Sequence, residues 1–266
     1  MSLSDVIKLV VLSAIWGASF LFMRITAPEL GPFFTTFARV AIAAIALAPF
    51  ILRAEQRNAL SSHKRSLLVL GLFNSAIPFS LLCWASLQLE AGFTSLLNAT
   101  TPICTAVIGL CWLRIPLSRL QILGLAIGLS GIAILTGDQL DFSREGRGWP
   151  IVAVLCATCC YAYAGHYAKI RLPDISPLAV SAGSLLASTL AFLPFAFLLG
   201  PTQVPEATII LSLLALGLLC TASAFILFFD LLKRNGATAA TTVTFVIPVF
   251  GILWGSLFLQ EEITSR

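Results

Sequence analysis

The stretch LLNATTPICTAVIGL at residues 96–110 decides the architecture, because TVTFVIPVFGILWGS at 242–256 matches it 146 positions later. Each stretch is an apolar run with a proline near its middle, Pro102 or Pro248. Further pairs at the same offset are Gly71 with Gly217, Ala76 with Ala222, Phe79 with Phe225, Ala91 with Ala237, Asn98 with Thr244, Gly109 with Gly255 and Ser118 with Thr264. The chain therefore contains an internal duplication of one sequence unit. Paired, interrupted apolar spans are typical of the binding site of a membrane transporter.

The composition places the chain in a membrane. Of its 266 residues 58% are hydrophobic and only 11% are charged, whereas a soluble domain has about 25% charged residues. The apolar runs are continuous rather than alternating, which favours helices over a β-barrel. A spanning helix needs roughly 20 apolar residues. We predict an all-α integral membrane fold with nine spans, near 6–26, 31–52, 66–88, 92–113, 119–137, 149–169, 177–199, 207–230 and 237–259.

The positions of the basic residues predict the orientation. With a cytoplasmic N-terminus, eleven of the 16 Lys and Arg residues fall on the cytoplasmic side and one, Arg39, lies inside span 2. The remaining four are Arg24, Arg144, Arg147 and Arg266. This bias follows the positive-inside rule, so we expect a multi-pass protein of the inner (plasma) membrane with its N-terminus in the cytoplasm. The charges are scattered over short loops, which excludes a nucleic-acid interface.

The duplication predicts two domains. The first repeat covers residues 1–137 with five spans, and the second covers 149–266. An odd number of spans makes the second copy enter the membrane from the opposite side, as an inverted repeat. Only four spans of the second copy fall within the sequence. We expect that the tenth helix is truncated from it, with a genuinely absent packing helix as the alternative.

Several motifs follow the pattern of one known family. They are WGASF at 16–20, then Arg24, Pro32 and Arg39, AGFTSLL at 91–97 before Pro102, and residues 237–248 followed by LQEEIT at 259–264. Together they resemble EamA-type members of the drug/metabolite transporter superfamily. The resemblance implies a ten-helix inverted-repeat fold with a central cavity. It is strongest to bacterial exporters of aromatic and other amino acids that also expel cationic drugs. One departure is Ile115, where the family usually has the glutamate that the second half keeps as Glu261.

Polar residues and prolines within the spans are the first candidates for substrate binding. Lipid tails offer no hydrogen bonds to backbone or side-chain polar groups, so polar residues within a span need partners inside the protein. Each proline removes one backbone N–H donor from its helix. The candidates are Asn74 and Pro78 in span 3, Asn98, Thr101 and Pro102 in span 4, and Thr244 and Pro248 in span 9. We interpret them as cavity wall, with the Pro78 region as a moving gate. The alternatives are helix packing, with hydroxyls bonded to carbonyls of their own helix, and a fixed kink at Pro78.

Aromatic residues form a second group of candidates. Trp16 and Phe20 lie deep in span 1, with the polar residue Ser19 next to Phe20 as a further candidate. Tyr163 is the counterpart of Trp16 in span 6. Aromatic walls bind apolar, aromatic or cationic groups. Trp and Tyr also form interfacial belts, but Trp16 lies too deep for a belt.

Two titratable groups complete the candidate site. His166 could couple protons, since histidine titrates near neutral pH, or it could be a plain helix-end residue. Arg39 is the one cation well inside a span, and such a residue needs partners. It could hold a substrate carboxylate, or it could cap carbonyls of a neighbouring helix.

These features predict an alternating-access carrier that exports amino acids, with aromatic or apolar ones favoured and cationic drugs as further substrates. A carrier of nucleotide sugars or phosphates is an alternative, although it would need more deep cations than Arg39. A structural membrane protein is a second alternative. An enzyme would need a buried acid–base or metal constellation. Mid-span carboxylates are absent from the sequence and Cys156 and Cys159 lack a second cysteine pair, so we expect no enzyme, cofactor or metal. The expected partners are a small molecule and the bilayer, with a monomer favoured over a dimer.

Overall fold

The computed structural model describes residues 1–51 and 54–262, without the side chains at 51, 54–56, 59, 138 and 236–241. Within this part of the chain every regular element is a helix. The predicted end of span 2 at residue 52, the basic residues Arg53 and Arg266, and Thr264 as the counterpart of Ser118 lie outside the described residues.

Eight of the described helices are long and apolar enough to cross a membrane, and a ninth, Val243–Leu259, is apolar but shorter. In chain order, spans 1 to 8 are Leu3–Leu30, Pro32–Phe50, Lys64–Ala85, Ala91–Leu113, Arg119–Thr136, Gly148–Arg171, Pro177–Leu199 and Ala207–Asn235, and Val243–Leu259 is span 9. A short helix, Ala54–Ser62, lies between spans 2 and 3. The predicted all-α membrane fold is confirmed.

One boundary differs from the sequence prediction. We expected span 8 to end near residue 230 and span 9 to begin near 237. Instead, the last helix of span 8, Ala224–Thr241, continues beyond the apolar stretch that ends at Asn235, and span 9 begins at Val243. The intervening sequence has a single glycine, Gly236, and no proline. One glycine costs a helix only about 1 kcal/mol, so it does not end the helix.

The packing of the spans follows the duplication. Span 2 packs against span 7, span 1 against span 9, and span 4 against span 6. Span 3 packs against spans 6 and 7, and span 8 against spans 1 and 2. The counterparts in the two halves are spans 1 and 6, 2 and 7, 3 and 8, and 4 and 9. If each span is replaced by its counterpart, the same pairs of contacting spans result. Such an exchange is what two halves related by a two-fold axis would produce.

Spans 3 and 8 each contain a π-helical segment. The segments are Leu72–Ala76 and Ala215–Ser223, and the 146-residue offset carries the first into the second. In span 3 the segment lies directly before Pro78, where the sequence predicted an irregular helix. Span 8 has Ala224 in place of that proline, so a proline is not required for the distortion. π-Helices are rare and are frequent at functional sites.

A glycine at the start of each distorted region allows a neighbouring helix to approach closely. A Cβ at Gly217 would lie 2.6 Å from both Cβ and Cγ2 of Ile42 and 3.2 Å from the Arg39 carbonyl oxygen. A Cβ at Gly71 would meet the Ser184 carbonyl oxygen. The two contacts therefore bring span 2 against span 8 and span 7 against span 3. The first of them places Arg39 beside the π-helical segment of span 8.

A fixed turn precedes span 6. The Ser143 backbone N–H and hydroxyl donate to the Asp141 carboxylate at 2.8 and 2.9 Å, and these hydrogen bonds hold the pKa of Asp141 below its usual range. The Asp141 carbonyl accepts from the Gly148 N–H at 2.8 Å. The linker is thus tied to the first residue of span 6.

Replacing Gly217 by alanine tests the close helix contact. Because the new Cβ would overlap Ile42, we expect Gly217→Ala to lower the free energy of unfolding by about 1–3 kcal/mol. The control is Gly165→Ala in span 6, where a Cβ has open space; it should leave the stability unchanged or raise it by about 1 kcal/mol. Thermal unfolding in detergent, followed by tryptophan fluorescence, measures both. Equal melting temperatures for the two variants would contradict the packing.

Candidate functional site

The guanidinium of Arg39 is the centre of a buried group of side chains from four spans. Its Nε donates to Thr221 Oγ1 at 2.9 Å, one Nη donates to Ser19 Oγ at 3.4 Å, and the other lies 3.7 Å from Met23 Sδ. The guanidinium carbon lies 3.8 Å from the centroid of the Phe79 ring, a cation–π geometry. Arg39 is only 4% exposed. We call these five residues the central cluster.

The central cluster leaves the charge of Arg39 uncompensated. Among residues 1–51 and 54–262 no ion pair includes Arg39, and its hydrogen-bond partners are two hydroxyls and a thioether. A buried charge without an opposite charge is unfavourable. The described hydrogen bonds of Arg39 go to side chains and do not include a backbone carbonyl. A guanidinium has five N–H donors, which leaves two beyond those used here.

The π-helical segment of span 8 positions the strongest of these partners. The Thr221 hydroxyl donates to the Leu216 carbonyl, five residues earlier, at 2.8 Å, and its oxygen accepts from Arg39. Sequence reasoning missed Thr221, Met23 and Phe79. The repeat offset contained a signal for Thr221, because it pairs with Ser75 in the π-helical segment of span 3.

Tyr163 lies in an aromatic cluster with Phe73, Trp112 and Tyr167. Its ring centroid is 5.0 Å from that of Trp112 in a stacked arrangement, 4.9 Å from Phe73 and 5.7 Å from Tyr167. Spans 3, 4 and 6 thus supply one aromatic surface. Phe73 and Trp112 were not among the predicted residues, since nothing in their local sequence distinguishes them from other apolar positions.

The aromatic residues of span 1 lie elsewhere. Trp16 contacts Phe228 of span 8, with ring centroids 5.4 Å apart, and Phe20 is buried in the main hydrophobic core. Ser19 alone of these neighbours joins the central cluster. The paired positions Trp16 and Tyr163 therefore belong to two different aromatic groups.

Span 4 satisfies most of its own polar groups. Thr101 Oγ1 donates to the Asn98 carbonyl at 2.8 Å, which is the carbonyl that Pro102 leaves without its helical donor. The Thr105 hydroxyl bonds the Thr101 carbonyl in the same way. His166 Nε2 lies 2.9 Å from the Thr105 carbonyl oxygen, which requires a proton on that nitrogen. The Asn98 side-chain oxygen is buried with no hydrogen-bond partner among the described residues.

The other predicted residues lie in spans 3 and 9. Pro78 and Pro248 are buried within spans 3 and 9. Asn74 and Thr244, each four residues before one of these prolines, are half-buried. A cavity of about 400 Å³ lies elsewhere, and none of the predicted site residues contacts it. Its lining is Pro32, Phe33, Ile77, Ser80, Leu81, Trp84 and Phe192.

The cysteines of spans 4 and 6 approach one another. Cys104 Sγ lies 3.7 Å from Cys159 Sγ and 3.3 Å from Thr158 Oγ1. Within the described part of the chain, His, Cys, Asp and Glu side chains form no group of three or more that could hold a metal ion.

Glu261 joins the two halves at the end of the bundle where spans 1 and 9 finish. Its carboxylate accepts from the backbone N–H groups of Ala91 at 2.8 Å and Gly92 at 3.3 Å, at the positive end of span 4. Arg24 Nε lies 4.0 Å from the same carboxylate. Ile115, at the paired position, has no acceptor, so the first half cannot form this cap.

The chain segments around Glu261 and Ile115 have the same backbone. Spans 4 and 9 are each followed by a residue in the left-handed region, Arg114 at φ 55° and Gln260 at φ 56°. These two residues are also 146 positions apart. The two halves therefore share a helix ending and differ in the side chain that follows it.

Neutralising Glu261 tests the cap. Because the carboxylate faces two N–H groups and an arginine, we expect Glu261→Gln to lower the free energy of unfolding by about 1–2 kcal/mol. The matched control is Glu262→Gln, since Glu262 is exposed and should contribute nothing measurable. Chemical or thermal unfolding in detergent would show the difference. A Glu261→Gln protein as stable as the Glu262→Gln protein would exclude a stabilising cap.

The bundle of long apolar helices is that of a multi-pass membrane protein. The chain matches the EamA-like transporter family over residues 4–137 and again over 148–266. It belongs to this family of membrane transporters.

The relatives are transporters by name. The uncharacterized transporter YoaV of Bacillus subtilis is 26% identical over 94% of this chain and 87% of its own. The uncharacterized inner membrane transporter YedA of Escherichia coli is 27% identical over 91% and 78%. A probable terminal-alkyne amino-acid exporter of Streptantibioticus cattleyicolor is 24% identical over 98% and 88%. A solved crystal structure covers 100% of this chain and 91% of its own at 17% identity, with a TM-score of 0.68, which shows the fold. The protein is a multi-pass inner-membrane transporter.

Proposed function

We propose that the protein exports amino acids by alternating access, with aromatic and apolar side chains favoured, from a cytoplasmic side that contains its N-terminus. The observation that carries this proposal is the aromatic cluster around Tyr163, which spans 3, 4 and 6 build together. Rings at 4.9–5.7 Å offer apolar area and favourable ring–ring contacts to an aromatic side chain. The name of one relative, an amino-acid exporter, supports the same class.

The mechanism rests on two repeats, residues 1–137 and 149–266, related by inversion. The packed pairs of spans exchange under this relation, and both π-helical segments lie at equivalent positions. Two copies of one unit can adopt two slightly different shapes, and exchanging these shapes moves an opening from one face of the membrane to the other. No catalytic chemistry or cofactor is part of this proposal.

Transport by the purified protein in liposomes tests the function. Labelled phenylalanine, tryptophan and threonine would be offered with and without an imposed pH gradient. We expect saturable uptake, faster for the aromatic substrates. Uptake that ignores the gradient would retire His166 as a coupling group, whereas gradient-driven accumulation would make it the first residue to replace. Absence of uptake for all three would contradict an amino-acid carrier.

Replacing Tyr163 by alanine tests the aromatic surface. Loss of the stacked ring should raise the half-saturation concentration for tryptophan by about 10-fold, corresponding to roughly 1.4 kcal/mol, and change that for threonine much less. Trp149→Ala is the control, because Trp149 is 56% exposed at the start of span 6.

Trp16→Ala addresses the second aromatic group in the same assay. We expect slower uptake of aromatic substrates by a well-folded protein. Unchanged kinetics in both Tyr163→Ala and Trp16→Ala would remove the aromatic residues from the site.

A further inference from the structure

We propose that Arg39 binds the carboxylate of the transported molecule, so that a carboxylate is a requirement for substrate binding. This inference rests on the proposed function and deepens it. It concerns the central cluster, whereas the amino-acid proposal was carried by the aromatic cluster.

Charge favours an anionic ligand. Four cations near the ends of spans have a carboxylate partner. The pairs are Lys8 and Arg234 with Asp230, Arg24 with Glu261, and Arg147 with Glu90. Arg39 is more buried than any of these cations, yet within residues 1–51 and 54–262 it has no such partner. An arginine in a membrane interior is stable only with compensation, and an anionic ligand supplies it.

The geometry of the guanidinium also favours a carboxylate. Its Nε is fixed by a 2.9 Å hydrogen bond to Thr221, and its face lies on Phe79. The two Nη atoms have only long contacts, to Ser19 at 3.4 Å and to the Met23 sulfur at 3.7 Å. A thioether is a weak acceptor. The Nη edge can therefore exchange these contacts for the two oxygens of a carboxylate, which is the bidentate pairing that arginine favours.

The sequence places one cation, Arg39, well inside a span. Arg39 lies against Gly217, and the equivalent contact in the other half places Ser184 against Gly71. The central cluster thus offers one anion site per chain. A substrate that binds with one end on Arg39 has a single orientation.

Span 3 connects Arg39 to the aromatic cluster. Span 3 carries Phe79 against Arg39 and Phe73 against Tyr163. Six residues of helix correspond to about 9 Å along the axis, so Arg39 and the aromatic cluster lie at different levels along span 3, which suits a substrate with its carboxylate at one end and its ring at the other.

The consequence is a selection rule. Amino acids and other carboxylates should bind, whereas amines that lack a carboxylate should be repelled by an uncompensated positive charge. Cationic drugs without an acid group are therefore poor substrates for this site.

Ligand-induced thermal stabilisation of the detergent-purified full chain tests the rule without requiring transport. The probes are phenylalanine, 3-phenylpropionate, which keeps only the carboxylate, and phenethylamine, which keeps only the amine. We expect the first two to raise the melting temperature of the wild-type protein and phenethylamine to leave it unchanged. An equal shift with phenethylamine would overturn the proposal, and this comparison needs no variant.

Variants then assign the effect to Arg39. Arg39→Gln should weaken 3-phenylpropionate binding by roughly 10- to 100-fold, which is the usual contribution of a hydrogen bond to a charged group to the affinity. Arg39→Lys keeps the charge and should weaken binding less. Arg234→Gln is the matched control, because it removes an exposed positive charge at the surface and should bind as the wild type does. Unchanged binding by Arg39→Gln would reject the assignment.

Two further outcomes separate the proposals. Stabilisation by chloride that Arg39→Gln abolishes, with no response to 3-phenylpropionate, would assign the counter-charge to an inorganic anion and overturn the substrate role. A carboxylate response that depends on Arg39, without liposome uptake of any amino acid, would reject the amino-acid carrier and keep Arg39 as a carboxylate site.

Discussion

Lipid offers no hydrogen bonds, so every polar group in a spanning helix must find its partner inside the protein. Most of the hydroxyls here bond a carbonyl of their own helix, as Ser13 and Thr26 do in span 1. The same constraint makes the exceptions informative. Ser75 Oγ and Asn98 Oδ1 are buried without a partner among the described residues, and Arg39 has neutral partners only. Asp5 Oδ1, Thr35 Oγ1 and Gln88 Oε1 are likewise buried without a partner in the described part of the chain, so the unused polar capacity is spread over spans 1 to 4 and the loop after span 3.

The duplication supplies the scaffold, and the departures from it supply the chemistry. Thr221 in span 8 accepts from Arg39, whereas its counterpart in span 3, Ser75, is buried without a hydrogen-bond partner among the described residues, because the position 146 residues after Arg39 is Leu185. The shared elements are the glycine contacts and the π-helical segments, which are properties of the backbone. If Arg39 binds the substrate as proposed, a charge in one half only gives a carrier with a symmetrical framework a directional binding site.

The sequence predicts the spans and the repeat well, since both depend on composition and on spacing along the chain. It also places Arg39 inside a span and so requires a partner for it. It does not predict that the partner is Thr221, 182 residues away, because nothing local marks that residue. The π-helical segment of span 8 also has no local signal, as it lacks the proline of span 3. Likewise, the sequence shows that Pro102 frees the Asn98 carbonyl, but it does not show that the Thr101 hydroxyl donates to that carbonyl.

The cap at Glu261 extends this asymmetry from binding to conformation. Two identical inverted halves would give two states of equal free energy, one open to each side. Glu261 bonds the start of span 4 across the two halves, and Ile115 cannot make the equivalent bond. If the halves exchange shapes as proposed, the state in which Glu261 caps span 4 is favoured by the free energy of one helix cap, about 1–2 kcal/mol. That difference changes a population ratio by roughly 5- to 30-fold, enough to hold the unloaded carrier mainly in one state while a ligand on Arg39 can still reverse the balance.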